Sequence, residues 1–219
     1  MPRFTDHSLL ALAGLLAACT TGGAGLYVPM PDAQLSTQAA NPEGVPYPTA
    51  NLGGAPRSGA TPGQTFPNLV FEGIRALASV DTLAVVSMSE LFDPTGVRYD
   101  LLHVIGIFMW CPHCNNETSG LVQAATWRAD HRVAVIQIAM EGYGSASPGW
   151  NELQKWVRDH KSDFPVVVDG QGAQLGQYFP VDSVPLNVMV NPRNMEILAV
   201  QIGEVGDVAA YEQLFLTSP

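Results

Sequence analysis

Cys111 and Cys114 stand in the segment Trp110-Cys111-Pro112-His113-Cys114, directly after an almost wholly apolar run from Tyr99 to Met109. A thiol pair at this spacing can close a small ring, so it can take up or release two electrons by breaking or forming one S–S bond. The flanking pattern gives the pair a place. The apolar run reads as a strand buried on both faces. The residues that follow read as a helix to about Ala129, with Leu121, Val122 and Ala125 on one face. Pro112 suits the first turn, where its missing N–H would have no intrahelical partner. Cys111 then lies at the helix N-terminus, where unpaired N–H groups and the macrodipole favour a thiolate. Cys114 lies one turn further on, positioned to attack a mixed disulfide and release the partner. Glu117 falls on the same helical face as Cys114. There it either carries protons for that thiol or simply complements the helix dipole.

Of the three cysteines in the 219 residues, Cys19 closes an apolar N-terminal run. The pair therefore accounts for every remaining thiol, unlike a disulfide scaffold, which needs several bridges in a smaller domain. The composition is 47% hydrophobic and 14% charged, enough for one well-buried domain. A net charge of -10 and a pI near 4.7 repel phosphate backbones and exclude nucleic acid as a partner. Lys and Arg total 10 and form no polybasic patch for a membrane surface. Zinc needs about four ligands, and one Cys pair with His113 does not supply them. The expected cofactor list is thus empty of metals and holds only the redox-active disulfide Cys111–Cys114. His103 on the central strand, His131 and His160 near helix ends, and Trp127, Trp150 and Trp156 read as structural.

The domain that positions the pair is expected over 63–219. Asn68 to Arg75 and Leu83 to Val86 read as short strands, with a helical turn at Ser87 to Leu91. Val133 to Met140 is a second buried strand. Trp150, Leu153 and Val157 mark an amphipathic helix. Pro165 to Asp169 reads as a short strand and Gly172 to Tyr178 as a short helix. Leu186 to Asn191 and Glu196 to Ile202 form a hairpin around Pro192-Arg193-Asn194, and Val208, Tyr211 and Phe215 give a last helix. Ahead of this domain, residues 1–19 carry an apolar run, Leu9 to Ala18, with the length of a signal-peptide core and too short to span a bilayer. Its end, Leu16-Ala17-Ala18-Cys19, resembles the bacterial lipobox, which implies acylation of Cys19 and attachment to a lipid bilayer. Residues 20–62 are rich in Gly, Pro and small polar residues and read as a flexible linker of roughly 35–40 Å r.m.s. span.

Strand, C-x-x-C and helix in this order, with Trp110 directly before the pair, resemble the thioredoxin superfamily. The resemblance implies a thioredoxin-like α/β fold: a central mixed sheet flanked by helices, with Cys111 as attacking sulfur and Cys114 as resolving sulfur. Asp182-Ser183-Val184-Pro185, just before the hairpin, matches the family's cis-proline loop. That match implies that Val184 and Pro185, with Trp110, contact the bound substrate. Gly63 to Pro67 and Val86 to Leu91 resemble the N-terminal β-hairpin extension of the ResA/TlpA-like branch, which is related to the AhpC/TSA proteins. Its members are tethered extracytoplasmic oxidoreductases, some of which reduce apocytochrome c disulfides. Glu117 matches the acidic residue that tunes their cysteines. The implied partners are extracytoplasmic protein thiols or disulfides and a membrane redox protein, in the periplasm or at the cell surface.

Two departures bear on direction and mechanism. Ile105 stands where thioredoxin itself has a buried Asp, six residues before the first cysteine. The dipeptide Pro112-His113 resembles that of the strongly oxidising DsbA family, and positive charge on His113 would stabilise the reduced thiolate and make a better oxidant. The scaffold thus implies a reductant and the dipeptide an oxidant or isomerase. A third alternative is a non-catalytic binding lipoprotein in which Cys111–Cys114 is a fixed disulfide. The pattern lacks the Pro and Thr or Ser that a peroxiredoxin places before its cysteine. It also lacks the distal histidine of Sco-type copper chaperones, since none follows His160.

Overall fold

The computed structural model describes residues 41–48 and 61–216. Cys19, the expected signal segment and most of the expected linker lie outside the described residues. Seven strands form one mixed sheet among them: β1 (Val70–Ile74), β2 (Ala84–Ser87), β3 (Leu101–Phe108), β4 (Val133–Glu141), β5 (Val166–Val168), β6 (Leu186–Asn191) and β7 (Glu196–Ile202). Their spatial order is β2-β1-β5-β4-β3-β6-β7. Strands β3, β4 and β5 run parallel, and β6, β7, β1 and β2 extend the sheet antiparallel at its two sides. Helices α1 (Met88–Leu91), α2 (Pro112–Gln123), α3 (Ala125–Asp130), α4 (Trp150–His160) and α5 (Val208–Leu216) complete a thioredoxin-like α/β fold.

The hydrophobic patterning explains the layering. Every residue of β3 is buried, as expected of a strand covered on both faces, and β4 is buried up to its last residue. Leu121 of α2 and Leu153, Trp156 and Val157 of α4 are wholly buried with Ile105, Ile136, Ile138 and Val188 in one core. Burying such side chains contributes about 1.5–3 kcal/mol each, which is what drives the helices onto the sheet. Where β3 ends, the chain turns at once into α2, so both cysteines lie at the C-terminal end of the parallel strands.

Two local expectations meet a different outcome. The helix expected to run unbroken to about Ala129 leaves helical geometry at Ala124 (φ -81°, ψ 6°) and resumes as α3. The buried Arg128 guanidinium is the reason it can: its Nε donates to the Leu121 carbonyl at the break, 3.2 Å away, while Nη2 pairs with Asp163 at 2.7 Å. The short helix expected over Gly172 to Tyr178 is a pair of 3-10 turns, Gly170–Gly172 and Leu175–Gln177. There the buried Asp169 carboxylate accepts from the N–H groups of Gln174 (2.9 Å) and Leu175 (2.8 Å) and holds the chain in a tight loop. Residues 41–48, inside the stretch expected to be linker, lie against the domain. Asn41 Nδ2 donates to the Phe92 carbonyl at 2.6 Å, Tyr47 Oη donates to the Phe66 carbonyl at 2.8 Å, and Glu43 pairs with Arg98. Composition averages over such single anchoring side chains.

A cavity of about 590 Å³ lies where β3 and β4 begin, one strand length of roughly 25 Å from the cysteines. Arg75, Arg98 and Arg128 line it, and each is paired with a carboxylate: Glu90, Glu43 and Asp163 respectively.

Candidate active site

Cys111 is the N-cap of α2, with extended backbone (φ -76°, ψ 123°), and Pro112 occupies the first helical position. No side-chain hydrogen bond caps this end, so the positive end of the helix dipole lies at Cys111. The turn that presents Cys111 is braced from below. Cys111 N–H donates to the Phe108 carbonyl at 3.0 Å. Asn115 Nδ2 donates to the carbonyls of Cys111 (2.8 Å) and Met109 (3.2 Å). With both amide hydrogens committed to carbonyls, Asn115 Oδ1 faces His160 Nε2 at 3.2 Å and accepts from it. Burial holds His160 below the usual histidine range, so it sits there as a neutral donor.

Cys111 is 6% exposed and Cys114 wholly buried, and both are free thiols in hydrogen-bonding contact with each other. Burial pushes the Cys114 thiol far above the ordinary thiol range. Its hydrogen bond with Cys111 and the negative charges of Cys111 and Glu117 add to the effect. The backbone at Cys114 is held by a closed polar chain. Thr118 Oγ1 donates to the Cys114 carbonyl (2.6 Å), Gln137 Nε2 to Thr118 Oγ1 (2.8 Å), and Trp156 Nε1 to Gln137 Oε1 (2.8 Å). One consequence is measurable. After mild reduction at pH 8, an alkylating reagent is expected to label Cys111 at least about tenfold faster than Cys114, as read by peptide mass spectrometry.

Glu117, on the next turn of α2, is 2% exposed. Its Oε2 accepts from the Val205 N–H (3.0 Å) and from Asn187 Nδ2 (3.4 Å), while Oε1 has no hydrogen-bond partner among the described residues. Burial raises its carboxyl above the usual range, despite those two donors and the proximity of His103. Asn187 lies on β6 directly opposite Ile105 of β3.

The other anticipated residues gather at the same end of the sheet. The Val184–Pro185 peptide is cis, and Leu186, the next residue, pairs with Gly106 of β3. Pro185 is therefore held beside the strand end that leads to Cys111, its carbonyl accepting from the Gly203 N–H at 2.8 Å. Trp110 is 47% exposed, tilted against Phe108 and donating from Nε1 to Glu141 at 2.7 Å. His113 is exposed, and its Nδ1 lies 2.7 Å from Glu204 Oε2. Among the described residues no group of three or more His, Cys, Asp or Glu side chains is arranged to hold a metal ion.

Sequence reasoning missed Glu204, Asn187, Glu212 and the involvement of His103. The one available signal was His103, a titratable residue in the middle of an apolar strand. Its partners come from sequence positions 84 and 109 residues away.

No family model and no curated protein matches the chain. Among solved structures it is similar to a Bacteroides thetaiotaomicron protein proposed to be a protein disulfide isomerase, at 14% identity and a TM-score of 0.54, over 73% of this chain and 92% of that one. It is also similar to a thiol:disulfide interchange protein of the thioredoxin family from Chlorobium tepidum TLS, at 17% identity and a TM-score of 0.50, over 70% and 97% of the two chains. A proposed thiol:disulfide interchange protein DsbE from Chlorobium tepidum gives 16% identity and a TM-score of 0.50, over 71% and 96%. What these share with the chain is the thioredoxin-like fold.

Proposed function

We propose that the chain is an extracytoplasmic protein thiol–disulfide oxidoreductase that exchanges disulfides through Cys111 and Cys114, in the direction of substrate reduction. The observation that carries this reading is the asymmetry of the pair. One sulfur lies at an uncapped helix N-terminus, and the other is buried beside an acid with an unpartnered oxygen. Cys111 attacks a substrate disulfide, forming a mixed disulfide and releasing one substrate thiol. Cys114 then attacks the Cys111 sulfur, giving up its proton to Glu117. The Cys111–Cys114 bond forms, and the second substrate thiol leaves. Two electrons pass from the pair to the substrate. Trp110, Val184 and Pro185 form the surface on which the substrate segment lies. The substrates are extracytoplasmic protein disulfides, with apocytochrome c as one class, and a membrane redox protein restores the dithiol. Acylated Cys19 tethers the domain to the bilayer through the residues that follow it; no helix of the described residues is long and apolar enough to cross a membrane.

The alternative direction, oxidation or isomerisation, rests on positive charge at His113. Glu204 Oε2 lies 2.7 Å from His113 Nδ1, so any such charge has a carboxylate beside it to offset it, which favours the reductive direction. The deciding measurement is the reduction potential of the couple in glutathione or dithiothreitol buffers. The reductive reading expects a value near roughly -270 mV, and a value near roughly -120 mV overturns it in favour of an oxidant. In the same assay Glu204→Ala is expected to raise the potential by about 10–20 mV, the yield of one exposed ion pair, because His113 then acts on the thiolate alone. An unchanged potential would show that the Glu204 carboxylate has no influence on the couple.

A further inference from the structure

Behind Glu117 lies a buried polar row that the exchange reaction as described above does not use. His103 of β3, Asn187 of β6 and Glu212 of α5 are each 0% exposed. Asn187 Oδ1 lies 2.8 Å from His103 Nε2, and His103 Nδ1 lies 2.8 Å from Glu212 Oε1. The proton positions follow from the partners. Asn187 Nδ2 reaches both the Gly203 carbonyl (3.2 Å) and Glu117 Oε2 (3.4 Å). A carbonyl can only accept, so the amide nitrogen must face that way and Oδ1 must face His103. Nε2 of His103 therefore carries a hydrogen. Nδ1 and Glu212 share one further proton, whichever atom holds it. Turned the other way, the Asn187 amide would set its oxygen against the Gly203 carbonyl and toward Glu117.

We propose that His103 is a positioning residue for the Cys111–Cys114 chemistry: by donating from Nε2 to Asn187 Oδ1 it acts with the Gly203 carbonyl to lock that amide with its N–H toward Glu117, which keeps the Glu117 carboxylate ready to take the Cys114 proton. The inference rests on the reading of Glu117 as the proton carrier for Cys114. The titratable groups facing this row are Glu212 and Tyr211 from α5, the Tyr211 ring 6.4 Å from that of His103, and Glu117 with Cys114 from α2. Glu204, on the loop after β7, acts on Glu117 at longer range. A donor toward Glu117 favours its ionised form and an acceptor its protonated form, so releasing Asn187 keeps Glu117 protonated to higher pH.

The test is the pH profile of the resolving step, followed as release of a fluorescent peptide from its mixed disulfide with Cys111, in wild type, Glu117→Gln, His103→Gln and the double variant His103→Leu/Glu212→Met. The double change removes the donor without leaving a buried carboxylate alone. Its Glu117-dependent midpoint is expected to move up by about one pH unit, slowing resolution about tenfold below that midpoint. His103→Gln restores an N–H donor and is expected to stay within about twofold of wild type. An unmoved midpoint in the double variant, or an equal shift in His103→Gln, overturns the role of His103 alone. If wild type and Glu117→Gln share one profile, the reading of Glu117 fails and this inference falls with it. Should the double variant not fold, nitrogen NMR of the wild-type imidazole decides. Nε2 must be protonated in both oxidised and reduced protein, and an unprotonated Nε2 overturns the inference.

Discussion

Cys111→Ser is expected to abolish disulfide exchange, with a rate loss on the order of 10³-fold or more, the scale of removing a nucleophile. Cys114→Ser is expected to behave differently. It retains the attacking sulfur at the α2 N-terminus but has nothing to displace the substrate from it. Mixed disulfides with partner proteins should therefore accumulate and be visible as bands that collapse on reduction in non-reducing gels. The difference follows from placement: Cys111 is partly accessible at an uncapped helix end, while Cys114 is wholly buried one turn below it. A fixed structural disulfide makes the opposite prediction, with both variants losing stability and neither trapping a partner. Equal behaviour of the two serine variants would therefore count against the proposed reaction.

Glu117→Gln is expected to have the second-largest effect, slowing the resolving step by about 10²-fold near neutral pH. Cys114 holds its proton tightly because it is buried and faces negative charge, so its attack needs a base. Glu117 is on the same helical face, with one carboxylate oxygen unpartnered, and its own raised proton affinity makes it a better base than an exposed carboxylate. In wild type the resolving rate should rise with pH as Glu117 ionises, above the ordinary carboxylate range. In Glu117→Gln it should rise only with direct ionisation of Cys114. Stopped-flow mixing of the mixed disulfide across pH reads both curves, and superimposable curves refute the base role.

The same substitution has an opposite sign in stability. Below the ordinary carboxylate range both folded and unfolded states hold the Glu117 proton, and its titration has no effect. As pH rises, the unfolded chain ionises first while the folded chain resists, so the folded state loses stability until the pH has passed the raised folded value. Relative to wild type, Glu117→Gln should thus gain thermal stability at pH 8, and this gain should vanish at pH 4. A variant less stable than wild type at pH 8 would mean that the lost charge-assisted contacts to Val205 and Asn187 outweigh the burial of the charge. A faster-resolving wild type and a more stable variant together would mark a site where stability is traded for chemistry.

The local placement of the cysteine pair between a buried strand and a helix was legible in the sequence. A run of apolar residues turning into Trp110-Cys111-Pro112-His113-Cys114 can bury the run and expose the first sulfur only by going from strand to helix, and β3 and α2 follow that pattern. The cis Val184–Pro185 peptide was implied by the resemblance of its loop to the thioredoxin cis-proline loop. Most element boundaries fall within two residues of the periodic pattern, because one buried face imposes the period on each element. Where a single side chain redirects the backbone, the pattern had no voice: Arg128 at the break before α3, Asp169 in its tight loop, Asn41 and Tyr47 against the domain.

Only the tertiary structure decided the electrostatics around the pair. The i, i+3 spacing placed Glu117 near Cys114. That its carboxyl is buried, held by Val205 and Asn187 and open on its other oxygen depends on β6 and on the loop after β7, some 70 to 88 residues along the chain. His113 suggested a positive charge beside the thiolate, and the carboxylate that meets its ring, Glu204, comes from 91 residues away. Periodicity reports which face of an element meets the core, which is a local property. Proton affinity depends on every charge and donor within a few ångströms, and in a folded sheet those neighbours come from strands that the sequence keeps far apart.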